Sequence, residues 1–207
     1  MSGGRNGLQV AAIVLAAGRS TRMAPDNKLL AEFDGVPMVR RVATTAVASG
    51  ARPVIVVTGF EAGRVVEALG GLDIAIVHNP AYGDGLSASL RTGLRALPPD
   101  CDGALICLGD MPAIESDDLR ALMAAFAVRE GRAICVPVRH GRRGNPVLWS
   151  AAFFGEIMAI TGDTGAKGLI GRHEDCVTEV AMTSDGIFED VDAPSDLARL
   201  KPKQGST

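Results

Sequence analysis

The stretch Val10-Ala-Ala-Ile-Val-Leu-Ala-Ala-Gly-Arg-Ser-Thr-Arg-Met-Ala-Pro-Asp-Asn-Lys28 decides how the rest of this sequence reads. The unbroken apolar run over residues 10–15 has the length of a strand buried on both faces of a sheet. Three small residues follow, Ala16, Ala17 and Gly18, and then a loop carrying Arg19, Arg22 and Lys28. Small side chains at the carboxyl end of a buried strand let a ligand approach main-chain N–H groups closely. Cations just beyond suit a polyphosphate, because they offset its charge. The stretch therefore reads as a nucleoside triphosphate site at the end of a first strand.

Two commoner nucleotide loops are excluded. A dinucleotide fingerprint needs G-x-G-x-x-G here, and only Gly18 is present. A P-loop, G-x-x-x-x-G-K-[ST], occurs nowhere, and Gly162-Asp-Thr-Gly-Ala-Lys167 lacks its spacing.

Composition narrows the function classes. A chain of 207 residues, 47% hydrophobic and 22% charged, predicts one soluble domain over 8–200, with 1–7 and 201–207 as flexible tails. A net charge of −3 argues against nucleic acid as a partner. No apolar run approaches the roughly 18 residues that span a bilayer. The first residues lack the apolar core of a signal peptide. Cys101, Cys107, Cys135 and Cys176 form no C-x-x-C pair and read as small core residues in a reducing cytoplasm. His78, His140 and His173 lack helical metal-site spacing.

Downstream, strands and helices alternate. Asp34-Gly-Val-Pro37 is a turn feeding a helix, in which Met38, Val39, Val42, Ala46 and Val47 form an apolar stripe that Gly50 stops. Residues 54–57 read as a second strand ending in Thr58-Gly59, 61–69 as a helix and 74–77 as a third strand. A helix starts after Gly85, with Ser87 or Asp84 able to cap it. Residues 104–108 form a fourth buried strand, 116–129 a helix, and 133–138 a fifth strand that Pro137 marks as an edge or a departure from the sheet. This alternation predicts a mostly parallel, Rossmann-like sheet with helices on both faces.

Asp110 closes the fourth strand in Gly109-Asp-Met-Pro112, where open α/β sheets place their ligands. Triphosphate chemistry calls for Mg²⁺, which takes one or two carboxylates beside phosphates and water. Asp190 and Asp192, in Glu189-Asp-Val-Asp192, alternate as along a strand and so point the same way. The arginine-rich turn Arg139-His-Gly-Arg-Arg143 reads either as a solvated loop or as part of a site for a phosphorylated acceptor.

These motifs carry a resemblance. Leu15-Ala-Ala-Gly-Arg-Ser-Thr-Arg-Met23 with Lys28 resembles the L-A-A-G-x-S-x-R-M…K signature of nucleotidyltransferases with the nucleotide-diphospho-sugar transferase fold. The chain is most similar to the molybdenum cofactor nucleotidyltransferases, and Gly109-Asp-Met-Pro112 resembles their cytidylyltransferase branch. Asn79-Pro-Ala-Tyr-Gly-Asp-Gly-Leu-Ser-Ala-Ser89, Gly144-Asn-Pro-Val-Leu148, Gly162-Asp-Thr-Gly-Ala-Lys167 and Asp190-Val-Asp-Ala-Pro-Ser-Asp-Leu197 match further family segments, with Ala193 where the family usually has Thr.

The resemblance implies a three-layer α/β/α sandwich with one antiparallel strand. It implies transfer of CMP from CTP to the terminal phosphate of molybdopterin, with Mg²⁺ as cofactor. Arg22, Lys28 and Asp110 would be catalytic, and Asp110 and Asp192 would hold the metal. Nucleotide would lie against Leu15, Ala16, Ala17, Gly18, Arg22, Lys28, Thr58, Gly59, Gly85 and Ser87. Acceptor would lie against Arg142, Asn145, Pro146, Asp163 and Lys167. The alternatives are a guanylyltransferase using GTP, acting on molybdopterin or a deazaflavin cofactor, a cytidylyltransferase for methylerythritol phosphate, and a relative serving a molybdenum hydroxylase as oxidoreductase or maturation partner.

Overall fold

The computed structural model describes residues 7–20, 27–127 and 130–200. Its centre is β1 (Val10–Ala16), every residue of which is buried. It pairs in parallel with β4 (Val54–Thr58) on one side and β6 (Gly103–Leu108) on the other. Because successive side chains alternate faces, Val10, Ala12, Val14 and Ala16 enter one apolar core while Ala11, Ile13 and Leu15 enter another. A strand that must feed two cores reads as a continuous apolar run, as this one does.

Helices α1 (Met38–Ser49), α2 (Ala62–Ala68) and α4 (Ser116–Ala125) cover the first core, while α3 (Leu86–Arg95), α5 (Phe154–Ala159) and α6 (Lys167–Ile170) cover the second. The result is the expected three-layer α/β/α sandwich. The remaining sheet strands are β5 (Ala75–His78), β7 (Ile134–Arg139), β8 (Arg142–Arg143), β9 (Val147–Ser150) and β10 (Val177–Ala181). The order is β10-β7-β9-β6-β1-β4-β5, with β8 attached to β7. In the main path β9 alone runs antiparallel, pairing so with both β6 and β7. A separate hairpin, β2 (Glu32–Phe33) and β3 (Val36–Pro37), turns through Asp34 and Gly35, both at positive φ, as a tight two-residue turn requires. It delivers the chain to α1, whose end at Gly50 has the left-handed backbone that stops a helix.

β5 is the sheet's edge, and its Ile76 is 39% exposed. Three local expectations need correction. β7 is interior, not an edge. Its pairing with β9 covers only Ile134 and Cys135, so at Pro137 it has already parted from that neighbour and the missing N–H costs no β9 ladder bond. α4 ends at Ala125, because Phe126 turns extended and puts its ring against Gly103 of β6. Residues 189–192 form no strand; they are an irregular segment held just past the end of β6 by a bond from the Val191 N–H to the Asp110 carbonyl.

Candidate active site

The carboxyl ends of β1 and β6 open into a cavity of about 560 Å³. Leu15, Ala17 and Gly18 supply one wall, and Leu108 and Asp110 the floor beside it. Gly109 lets these ends close up, since a Cβ there would stand 2.9 Å from the Leu15 carbonyl oxygen.

Three charged groups from distant parts of the chain converge here. Lys28 Nζ donates to Asp110 Oδ2 at 2.6 Å and to Asp192 Oδ1 at 2.9 Å. Asn27 aims the lysine: its buried amide oxygen accepts from the Leu29 N–H and from the Ser20 hydroxyl, fixing the short turn at Lys28–Leu30. Asp192 is aimed by two devices. The Val191 N–H binds the Asp110 carbonyl while Val191 itself is buried. Asp196 Oδ2 accepts from the N–H groups of Asp192 and Ala193 at the start of α7 (Pro194–Leu200), and these bonds hold its carboxyl below the usual range.

Electrostatics follow from that convergence. Burial alone would lower the Lys28 pKa, but the charges and hydrogen bonds of Asp110 and Asp192 outweigh it and hold the ammonium above its ordinary value. Asp110 Oδ1 is buried and has no hydrogen-bond partner among the described residues. An orphaned carboxylate oxygen is costly unless something else binds it, and a hard divalent cation would. Among the described residues no group of three or more His, Cys, Asp or Glu is placed to hold a metal ion.

Opposite the lysine, the turn over 82–85 and α3 form the other wall. Gly85, at φ +94°, brings this turn against the segment at Gly162, where a Cβ would meet backbone at 2.7 Å. Asp163 Oδ1 then accepts from the Leu86 N–H, capping α3. A second, smaller cavity of about 230 Å³ shares Leu15, Leu86 and Leu108 with the first as lining residues. Its walls are mostly apolar, including Leu90, Val147 and Trp149, with Asn145 and Lys167 as polar groups. Burial lowers the Lys167 pKa, and the charge of Asp190 partly offsets that.

The site residues expected from sequence separate accordingly. Leu15, Ala17, Gly18, Lys28, Gly85, Asp110 and Asp163 line the larger cavity. Asn145 and Lys167 line the smaller one. Arg22 lies outside the described residues. Ala16 points into the opposite core. Thr58 and Gly59 are packed behind the cavity wall, Gly59 against Ala17 and Tyr82. Ser87 is fully buried and bonds Arg91; Ser89 lines the cavity instead, held by Asn79 at 3.1 Å. Two residues along a helix is a rotation of about 200°, which sequence alone does not resolve. Asp163, expected on the acceptor side, sits on the side of the larger cavity. Pro146 lines neither cavity. Nor does Arg142, which stacks on Phe188 at 4.8 Å while Arg139 and Arg143 of the same hairpin pair with Asp185, Glu174 and Glu179.

Comparison with known proteins agrees with this architecture. The chain is 27% identical over 194 residues to the molybdenum cofactor cytidylyltransferase of Escherichia coli K12, covering 92% of this chain and 95% of that protein. A nucleotidyl transferase from Methanothermobacter thermautotroptrophicus superposes with a TM-score of 0.81 at 28% identity, over 93% of this chain and 96% of that one. Rv0371c of Mycobacterium tuberculosis H37Rv, solved in complex with manganese, gives 0.76 at 29%, over 93% and 97%. The chain spans about a quarter to a third of the bifunctional GlmU relatives it matches: for that of Leifsonia xyli, 35% identity over 119 residues covers 56% of this chain and 24% of that protein. The model of the MobA-like NTP transferase domain matches residues 12–177, and with its strands, cavity and converging charges in that frame the chain belongs to this family of nucleotidyltransferases.

Proposed function

We propose that this protein transfers CMP from CTP to the terminal phosphate of molybdopterin and releases pyrophosphate. The observation that carries the chemistry is the meeting of Asp110 and Asp192 on one cation at the mouth of β6. An oxygen of the acceptor phosphate forms a bond to the α-phosphorus of the nucleotide as the bond from that phosphorus to the β-bridging oxygen breaks, and pyrophosphate carries the electron pair away. Little covalent work falls to the protein; position and charge carry the rate.

Asp110 and Asp192 fit a divalent ion of the Mg²⁺ type through their hard oxygen donors, one of which is buried and unsatisfied. When bound, such an ion neutralises charge on phosphate oxygens. Lys28 stays charged beside it and holds phosphate oxygens in line. Arg22, from the same loop, is assigned to the leaving pyrophosphate on the motif alone. In this reading the N–H groups around Ala17, Gly18 and Gly85, with Ser89, hold ribose and base, and all four residues line the larger cavity.

The smaller cavity supports a flat acceptor. Its apolar walls suit the faces of a fused ring system, with Asn145 and Lys167 left for polar edges and phosphate. A polyol phosphate would leave several hydroxyls unpaired there, at a cost of about 1–3 kcal/mol each. Cytosine is assigned from Gly109-Asp-Met-Pro112 and the full-length similarity to a cytidylyltransferase. Incubation with CTP, Mg²⁺ and molybdopterin should yield a cytosine dinucleotide by mass spectrometry; unchanged acceptor beside consumed CTP would contradict the assignment of the acceptor.

The two serines test the nucleotide wall. Ser89→Ala is expected to raise KM for CTP by about 5- to 10-fold, the worth of one hydrogen bond of roughly 1 kcal/mol. Ser87→Ala should leave KM within about twofold, because its hydroxyl meets Arg91 and not the cavity. Steady-state kinetics at varied CTP distinguish them; equal effects would contradict this orientation of α3.

A further inference from the structure

Arg40 and Arg41 are neighbours on α1, and each guanidinium donates to backbone carbonyls elsewhere in the fold. Arg40 Nη1 reaches the carbonyls of Ala68 and Gly70, at 2.8 and 2.9 Å, where α2 ends. Arg41 Nε reaches the Pro112 carbonyl at 2.7 Å, two residues beyond Asp110. One turn further along α1, the Thr45 hydroxyl donates to the Ile114 carbonyl at 3.4 Å, so the helix runs beside the segment that leaves Asp110. Arg41 has a second attachment. Its Cζ lies 4.8 Å from the centroid of the Phe33 ring, and Nη1 pairs loosely with the exposed Asp34 at 3.9 Å. Phe33 is buried with Met38 and Val191 in a small third core, and Val191 directly precedes Asp192. One side chain that lines neither cavity thus ties the backbone behind Asp110 to the packing behind Asp192.

We infer that Arg41 is a positioning residue that fixes the spacing of Asp110 and Asp192 and so sets the site's affinity for a divalent cation. This rests on the reading of those two carboxylates as the metal site. Like charges brought together push their segments apart, so each carboxylate needs a backbone that does not yield. Asp192 is restrained by the buried Val191 and by the Asp196 carboxylate. Asp110 is restrained before it by β6, which ends at Leu108, and after it by the bond from Arg41 to Pro112. A guanidinium stacked on a ring keeps its plane, which a flexible ammonium would not. Ions of the Mg²⁺ type accept little distortion of their ligands, so loosening the turn after Asp110 falls first on metal affinity.

The neighbouring arginine supplies the control. Arg41→Met and Arg40→Met each keep an unbranched stem on the same helix and remove bonds from a guanidinium to backbone. Both side chains are only partly buried, so both variants fold, and melting temperatures lowered by similar small amounts check this. Binding of Mn²⁺ with CTP at one fixed concentration is followed by electron paramagnetic resonance, and binding of CTP without metal by calorimetry. Arg41→Met should weaken Mn²⁺ by about 3- to 10-fold, at or below the low end of the range for partners that orient metal ligands. It should leave metal-free CTP binding within about twofold. Arg40→Met should leave both within about twofold. Wild-type Mn²⁺ affinity in Arg41→Met would overturn the role, and equal weakening in the two variants would reduce it to general stability. CTP weakened without metal as much as Mn²⁺ would place the effect in the nucleotide wall and overturn it too. Wild type that binds no Mn²⁺ with CTP would instead overturn the underlying reading of Asp110 and Asp192.

Discussion

Asp110→Ala is expected to lower kcat by at least about 10²- to 10³-fold while leaving the fold intact, the range for losing one preorganised electrostatic contact. Asp110 sits at the end of β6 where the sheet opens, outside either core, so its removal creates no apolar void. One of its oxygens holds Lys28 and the other is buried and unsatisfied, an arrangement that costs stability unless a ligand binds there. The melting temperature should therefore stay within a few degrees. Asp110→Asn should behave alike, because shape is preserved and charge is lost. Binding of Mn²⁺ in the presence of CTP, followed by electron paramagnetic resonance, should weaken in both variants. Unchanged turnover with unchanged Mn²⁺ binding would remove Asp110 from the metal site.

Gly85→Ala should be the most damaging conservative change near the cavity. Its backbone, at φ +94° and ψ −178°, lies in a region that side chains enter only at a cost of about 1–3 kcal/mol. A Cβ would also meet the Gly162 carbonyl carbon at 2.7 Å and Asp163 Cα at 2.8 Å, and both are backbone. Neither neighbour can yield without moving the loop that caps α3. Together these predict a loss of about 2–4 kcal/mol, or roughly 5–15 °C in melting temperature for a chain of this size. Nucleotide affinity should fall with it, since the Asp163 cap and the turn over 82–85 shift together. A wild-type melt and wild-type CTP affinity would show that this turn accommodates the methyl.

Much of this was legible because the signals were local. The apolar run of β1 identified a doubly covered strand, and the alternation after it gave the layers. Lys28 and Asp110 were readable because each follows a strand end in a compact motif. Their meeting with Asp192 was not readable from spacing, since the partners lie 82 and 164 residues apart. The family pattern supplied that pairing. Asn27 and Asp196 went unnoticed because they act on N–H groups and never face the cavity. Arg142 shows another limit: the basic cluster left a solvated loop and a phosphate site both open, whereas the structure pairs its neighbours with surface acids and stacks it on Phe188. Sequence records the charges on one side of such a turn and not the partners brought up from β10 and the 174–185 segment.

The most direct test of the account is pyrophosphate release with Mg²⁺ and molybdopterin, comparing CTP, GTP and ATP at equal concentration. Release with CTP well above the other two is the predicted result. Release with GTP would keep the mechanism and contradict the base assignment, and no release with any of the three, with intact acceptor verified, would contradict transfer to molybdopterin altogether.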